Sequence, residues 1–245
     1  MEGRLNSPNK CEAIYTRNAI LCGLPAVILV LIFLGGCSKG AKSYAPEIDP
    51  VAAGYAALSQ YDDNSDGKIS GPELDKAASL KSNLAKIDLD NDGAVTADEI
   101  ADRIRYWQKT KLIRSRTPIH CTVYHNKQFL ADAEVKLVPE KFLGDTMKIA
   151  KGKTNANGMA ILVMENADPN DPPGVGPGFY RVEITRKADE ATAKRNREAA
   201  IRNHQDPSKA GEEIPAKYNT NTILGLDTTM DNPQIRKGLR FDLDY

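Results

Sequence analysis

The chain carries one twelve-residue acidic pattern twice, and that repeat constrains its fold more than any other feature. The first copy reads Asp62-Asp63-Asn64-Ser65-Asp66-Gly67-Lys68-Ile69-Ser70-Gly71-Pro72-Glu73. The second reads Asp88-Leu89-Asp90-Asn91-Asp92-Gly93-Ala94-Val95-Thr96-Ala97-Asp98-Glu99. Positions one, three and five are oxygen-bearing: Asp62, Asn64 and Asp66 in the first loop, Asp88, Asp90 and Asp92 in the second. Side chains at this spacing converge from one side of a tight turn. Position six is Gly67 or Gly93, where the sharp reversal disfavours a Cβ. Position seven needs only a backbone carbonyl, so Lys68 and Ala94 are both acceptable there. Ser70 and Thr96, at position nine, can reach an ion directly or through water, and Glu73 and Glu99 close the shell with two oxygens each. Such a set suits a hard cation taking about six to eight oxygens at about 2.3–2.6 Å, which is the chemistry of Ca²⁺. Without a cation the clustered carboxylates would repel one another.

These residues resemble the EF-hand, whose loop has this pattern and whose flanking helices carry apolar residues in phase. Leu58 and Tyr61 precede the first loop as Leu84 and Ile87 precede the second, and Leu74 follows the first Glu as Ile100 follows the second. The resemblance covers roughly Pro50 to Trp107. It implies a short antiparallel contact between Ile69 and Val95 at position eight of the paired loops. Asp49-Pro50 is a helix start, with an acidic cap before proline, and a helix through Val51, Tyr55, Leu58 and Tyr61 is expected. Ile100, Ile104 and Trp107 fall on one helical face. The loops begin 26 residues apart, so the helices between them must be short. That spacing is closer to dockerin-like and compact bacterial pairs than to a calmodulin-type pair. With no methionine between Pro50 and Trp107, the sequence argues against a sensor that opens a Met-rich groove.

After Pro118 the periodicity changes to alternation by two. Ile119, Cys121 and Val123 alternate with His120, Thr122 and Tyr124. The same pattern runs through Ala133, Val135 and Leu137, through Tyr180, Val182 and Ile184, and through Leu239, Phe241 and Leu243. Thr154 to Gly158 is a turn ending in Asn-Gly, and Met159 to Val163 reads as a strand after it. Short strands at this spacing predict a β-sandwich. The stretches CTVYHNKQFLADAEVKLVPE, TNANGMAILV, GFYRVEI, IPAKYN and LRFDLDY resemble a carboxypeptidase-regulatory-like, transthyretin-like domain. That resemblance implies a Greek-key sandwich appended to a secreted or envelope protein, and no activity. The transthyretin-like hydrolases of ureide rings end in Tyr-Arg-Gly-Ser, which this chain lacks. The charged, alanine-rich stretch from Arg186 to Glu213 lacks a wide apolar stripe and reads as a long loop or an exposed helix between strands.

The amino-terminal region sets the expected location. Arg4, Lys10 and Arg17 precede an uncharged apolar run from Ile20 to Leu34, the order of a secretory signal. Leu34-Gly35-Gly36-Cys37-Ser38 resembles the lipobox of bacterial lipoproteins, which implies lipid attachment at Cys37 and cleavage before it. An uncleaved span is the alternative. It needs about 20 apolar residues, whereas this run is shorter and is interrupted by Pro25. After processing, Cys121 would be the sole unmodified cysteine, leaving no internal disulfide.

The chain is electrically balanced, with 33 basic and 33 acidic residues, and the basic stretch Lys109 to Thr117 has no interleaved aromatic. No nucleic-acid partner is therefore expected. His120 and Cys121 should point to opposite faces of a strand, so they cannot easily share a metal. No phosphate loop, nucleophile elbow or His-Glu-x-x-His occurs, and no enzyme is expected. The expected fold class is α+β and multidomain, a helical EF-hand pair followed by a small antiparallel β-sandwich. The expected divisions are a signal peptide over 1–36, a lipidated tether over 37–49, the EF-hand pair over 50–108, a linker over 109–117 and the sandwich over 118–245. The expected function is that of a non-enzymatic, lipid-anchored Ca²⁺-binding protein of the cell envelope, on the periplasmic or outer-surface side. The alternative is an adhesion or scaffold module whose sandwich binds an envelope protein or glycan.

Overall fold

The computed structural model describes residues 47–110, 116–167, 173–204 and 206–245. The expected signal segment, Cys37 and most of the tether lie outside the described residues. No helix among the described residues is long and apolar enough to cross a membrane.

The first part is helical. Helix α1 (Pro50–Tyr61) starts where Asp49 accepts hydrogen bonds from the Val51 and Ala52 amides, with Pro50 in the first turn. Its buried face is Ala53, Gly54, Ala57 and Tyr61, whereas Val51 and Tyr55 are exposed. The small residues explain this choice of face. A Cβ on Gly54 would lie 2.2 Å from the carbonyl oxygen of Ala97, so α1 can press on the start of α5 (Ala97–Lys109) only because none is there. Between them come the strand β1 (Lys68–Ser70), the short helices α2 (Pro72–Lys76), α3 (Ala78–Ser82) and α4 (Leu84–Ile87), and the strand β2 (Ala94–Thr96). β1 and β2 pair antiparallel with Ile69 opposite Val95. Ile100, Ile104 and Trp107 of α5 are buried.

The second part is a sheet of β3 (Ile119–His125), β4 (Gln128–Phe129), β5 (Glu134–Pro139), β6 (Ala150–Lys153), β7 (Met159–Met164), β8 (Phe179–Thr185), β9 (Gly225–Asp227) and β10 (Leu239–Leu243). The order is β10-β3-β7-β6-β5-β8-β9, with β4 added to β3. All pairs are antiparallel except β10 with β3. The expected two-sheet sandwich is not what forms. The strands make one continuous sheet curled into a half-barrel, because β6 pairs with β7 through Ala150–Met164 and Lys151–Val163 and so joins the two halves. Gly152 sits at this junction, where a Cβ would lie 2.3 Å from the carbonyl oxygen of Ile161. The concave face holds Cys121, Val123, Val135, Leu137, Leu162, Tyr180, Val182, Ile184, Phe241 and Leu243 in one core. Helix α6 (Glu190–Arg202) occupies the charged insert, capped by Asp189, and buries no residue. A last short helix, α7 (Pro233–Lys237), precedes β10.

The two parts, expected as separate domains, share a second core. Phe142, Leu143 and Phe179 from the sheet part pack among Ala57, Tyr61, Leu80, Ile104 and Trp107 from the helical part. The rings of Trp107 and Phe179 have centroids 4.6 Å apart. Strand β8 is therefore buried on both faces at its start: Tyr180 faces the half-barrel and Phe179 faces the helices. The described residues belong to one compact unit.

Candidate metal centre

The two acidic loops link α1 to α2 and α4 to α5, and their backbone geometry is nearly the same. Gly67 and Gly93 have φ of +84° and +79°, and Ser65 and Asn91, at position four, lie at +59° and +61°. In each loop the position-one carboxylate accepts the position-six amide, Gly67 N to Asp62 at 2.9 Å and Gly93 N to Asp88 at 3.0 Å. It also accepts the position-five amide, from Asp66 or Asp92, at 3.2 Å in both cases. Position five accepts from position seven, Lys68 N to Asp66 and Ala94 N to Asp92, each at 2.9 Å. Asn64 and Asp90 each accept the amide of position five. The closing glutamates are tied back as well. Glu73 accepts from the Asp63, Asn64 and Ser70 amides, and Glu99 from the Leu89 and Thr96 amides and the Thr96 hydroxyl. Thr96 caps α5, and Glu99 completes a capping box, so the last ligand position is fixed by the start of the helix itself.

The loops differ in what they bring together. Asp88, Asp90 and Glu99 each offer a carboxylate oxygen, and these atoms lie within 4.8 Å of one another. Among the described residues this is the one such group of three. The donor chemistry is all hard oxygen, which fits Ca²⁺. The position-five carboxylate of that loop, Asp92, forms an ion pair with Lys68, so position seven of one loop is tied to position five of the other. The Lys68 ammonium on Asp92, helped by the Ala94 amide, holds that carboxyl below its ordinary value. In the first loop the Asn64 amide donates to Asp66 at 3.0 Å, so one potential ligand is engaged with another. Cys37, the expected lipid site, lies outside the described residues.

Sequence reasoning did not find the groups that join these loops to the sheet. Tyr61, immediately before loop one, donates to the buried Glu140 at 2.7 Å. Burial raises the Glu140 carboxyl above its ordinary range, against the pull of the Ser79 and Tyr61 hydroxyls and the Arg181 charge. Arg103 on α5 donates through Nε to Asp227 at 3.0 Å and through Nη1 to Asp231 at 2.8 Å. Lys86 on α4 lies 3.6 Å from Asp231. Burial works against charge at both Asp231 and Arg103, but their mutual hydrogen bonds outweigh it and keep the Asp231 carboxyl well below the usual range. The available signal was Arg103 itself, a charge one turn from Trp107 on a buried helix face. Nothing local marks Asp227, the last residue of a three-residue strand, or Asp231 on the turn after it.

Cys121 is buried in the half-barrel core, which pushes its thiol up to about 12, while His120 is exposed on the opposite face of β3. His125 stacks on Tyr245 with centroids 4.0 Å apart.

No curated protein and no solved structure matches the chain. A family model described as EF hand matches residues 55–77 and 83–102, the two helix–loop–helix segments that carry the acidic loops.

Proposed function

We propose that the chain is a non-enzymatic Ca²⁺-binding protein held at the cell envelope by lipid on Cys37, in which bound Ca²⁺ orders the helical part against the sheet. The convergence of Asp88, Asp90 and Glu99 within a loop of EF-hand pattern carries the calcium reading. Asp62, Asn64, Asp66 and Glu73, with the Lys68 carbonyl and Ser70, would hold one ion. Asp88, Asp90, Asp92 and Glu99, with the Ala94 carbonyl and Thr96, would hold the other. A bound ion would supply charge neutralisation to these carboxylates. Binding to the folded state alone at 100 times the dissociation constant adds about 2.7 kcal/mol of stability. The order of a basic segment, an apolar run and Leu-Gly-Gly-Cys supports the lipid anchor. A scaffold role for the sheet is the second reading, favoured by the exposed row Met159, Ile161 and Val163 along β7.

Equilibrium dialysis against Ca²⁺ tests the calcium reading. It should give two ions per chain, one in Glu73→Gln or Glu99→Gln at moderate Ca²⁺, and none in the double variant. Failure of wild type to retain Ca²⁺ would overturn it. Membrane fractionation of Cys37→Ala tests the anchor: retention and processing equal to wild type would remove it.

A further inference from the structure

Asp231 stands in a position that local loop chemistry does not require. It lies on the turn after β9, yet it faces cations from both helices that flank loop two. Lys86 comes two residues before Asp88, and Arg103 comes one helical turn after Glu99. One carboxylate thus touches the way into the loop and the way out of it. The turn is itself held firmly. Asp227 is fully buried and accepts the Thr229 amide at 2.9 Å, and its carbonyl accepts the Asn232 side chain at 2.8 Å. Strand β9 is laid against α3 so closely that a Cβ on Gly225 would lie 2.1 Å from the carbonyl oxygen of Ala78. Loop one shows no equivalent among the described residues. Tyr61 anchors α1 to Glu140, whereas on α2 Lys76 pairs with Asp63 inside the loop and Asp75 pairs with Lys81.

We propose that Asp231, backed by Asp227, is a positioning residue for loop two: the sheet fixes α4 relative to α5 and so preforms the Asp88–Asp90–Glu99 cage before an ion arrives. By reciprocity, an ion in loop two tightens the turn over 227–232 and with it the end of the sheet. The inference rests on the calcium reading and adds to it a long-range origin for the affinity of one site.

The test is Ca²⁺ titration of the full chain with one loop silenced at a time. In a Glu73→Gln background the isotherm reports loop two, and Asp231→Asn should weaken it roughly five- to thirty-fold, within the usual range of coupling between sites. In a Glu99→Gln background the same change should leave loop one within about twofold, well below that coupling range. Losing a nearby negative charge would also weaken cation binding, so Lys86→Met separates the two causes. Removing a positive charge should tighten loop two if only long-range charge matters, whereas positioning demands that it weaken. Equal losses in both backgrounds, no loss from Asp231→Asn, or tighter binding in Lys86→Met would overturn the proposal. Absence of Ca²⁺ binding in the parent Glu73→Gln chain and in wild type would instead remove the calcium reading beneath it.

Discussion

Loop one and loop two have the same twelve-residue pattern and nearly the same turn at positions four and six, yet only loop two is closed by a capping box, and they sit differently in the molecule. Loop two brings three carboxylate oxygens within 4.8 Å and is gripped on both sides by acids of the sheet part. Loop one has a neutral amide at position three and one anchor, from Tyr61 to Glu140. The comparison separates two sources of a binding site. The ligand types come from the local repeat, and the positioning proposed for loop two comes from Asp227 and Asp231, more than a hundred positions along the chain. It also gives two reasons, charge count and positioning, for loop two to be the tighter site.

The largest effect should come from breaking the grip on loop two. Arg103→Met leaves Asp227 buried without its ion-pair partner, and removing one partner of such a pair costs about 3–5 kcal/mol. Urea unfolding should show a loss of that order, and a loss under about 1 kcal/mol, the scale of an exposed pair, would mean that the seam holds little.

A second test contrasts the two seams by pH. Burial raises the Glu140 carboxyl, so the folded state keeps a proton that the unfolded chain releases above about 4.3. Stability should therefore fall as pH rises through that interval, by at most about 1.4 kcal/mol per pH unit for one proton. Glu140→Gln should flatten this slope. At Asp231 the sign is opposite: its carboxyl is depressed, so its contribution is present above the ordinary carboxylate value and is lost only in stronger acid. An unchanged slope in Glu140→Gln would show that the anchor of loop one does not titrate in this way.

The smallest effect concerns the cross-loop ion pair. Lys68 competes with an ion for Asp92, and both groups are partly exposed. Lys68→Gln should tighten loop two only slightly, because exposed pairs contribute little. Weaker binding in a calorimetric titration would mean that the pairing positions Asp92 and does not withhold it.

The helical part was largely legible. The repeat, the Asp49-Pro50 start and the Ile100–Ile104–Trp107 face follow from local spacing, the Ile69–Val95 contact follows from the resemblance to paired EF-hands, and the structure shows each of them. The buried face of α1 was not legible, because Gly54 and Ala57 are chosen for the close approach of α5 and not for hydrophobicity. In the sheet, alternation located most strands and their inward residues. It does not distinguish two stacked sheets from one curled sheet, since both bury every second residue. That outcome was set by the β6–β7 pairing at Gly152. Strand β9 was missed because three residues are too few to show a period, and with it went Asp227 and Asp231. The seam is written in pairs such as Arg103–Asp227, and no local pattern reports a partner that far along the chain.

The most direct measurement follows the Gly67 and Gly93 amides by nuclear magnetic resonance as Ca²⁺ is added to the chain. Each amide donates to the position-one carboxylate of its own loop, so each reports its own site. Gly93 should shift first and saturate at lower Ca²⁺ than Gly67. Gly67 saturating first, or neither signal moving with Ca²⁺, would contradict the account.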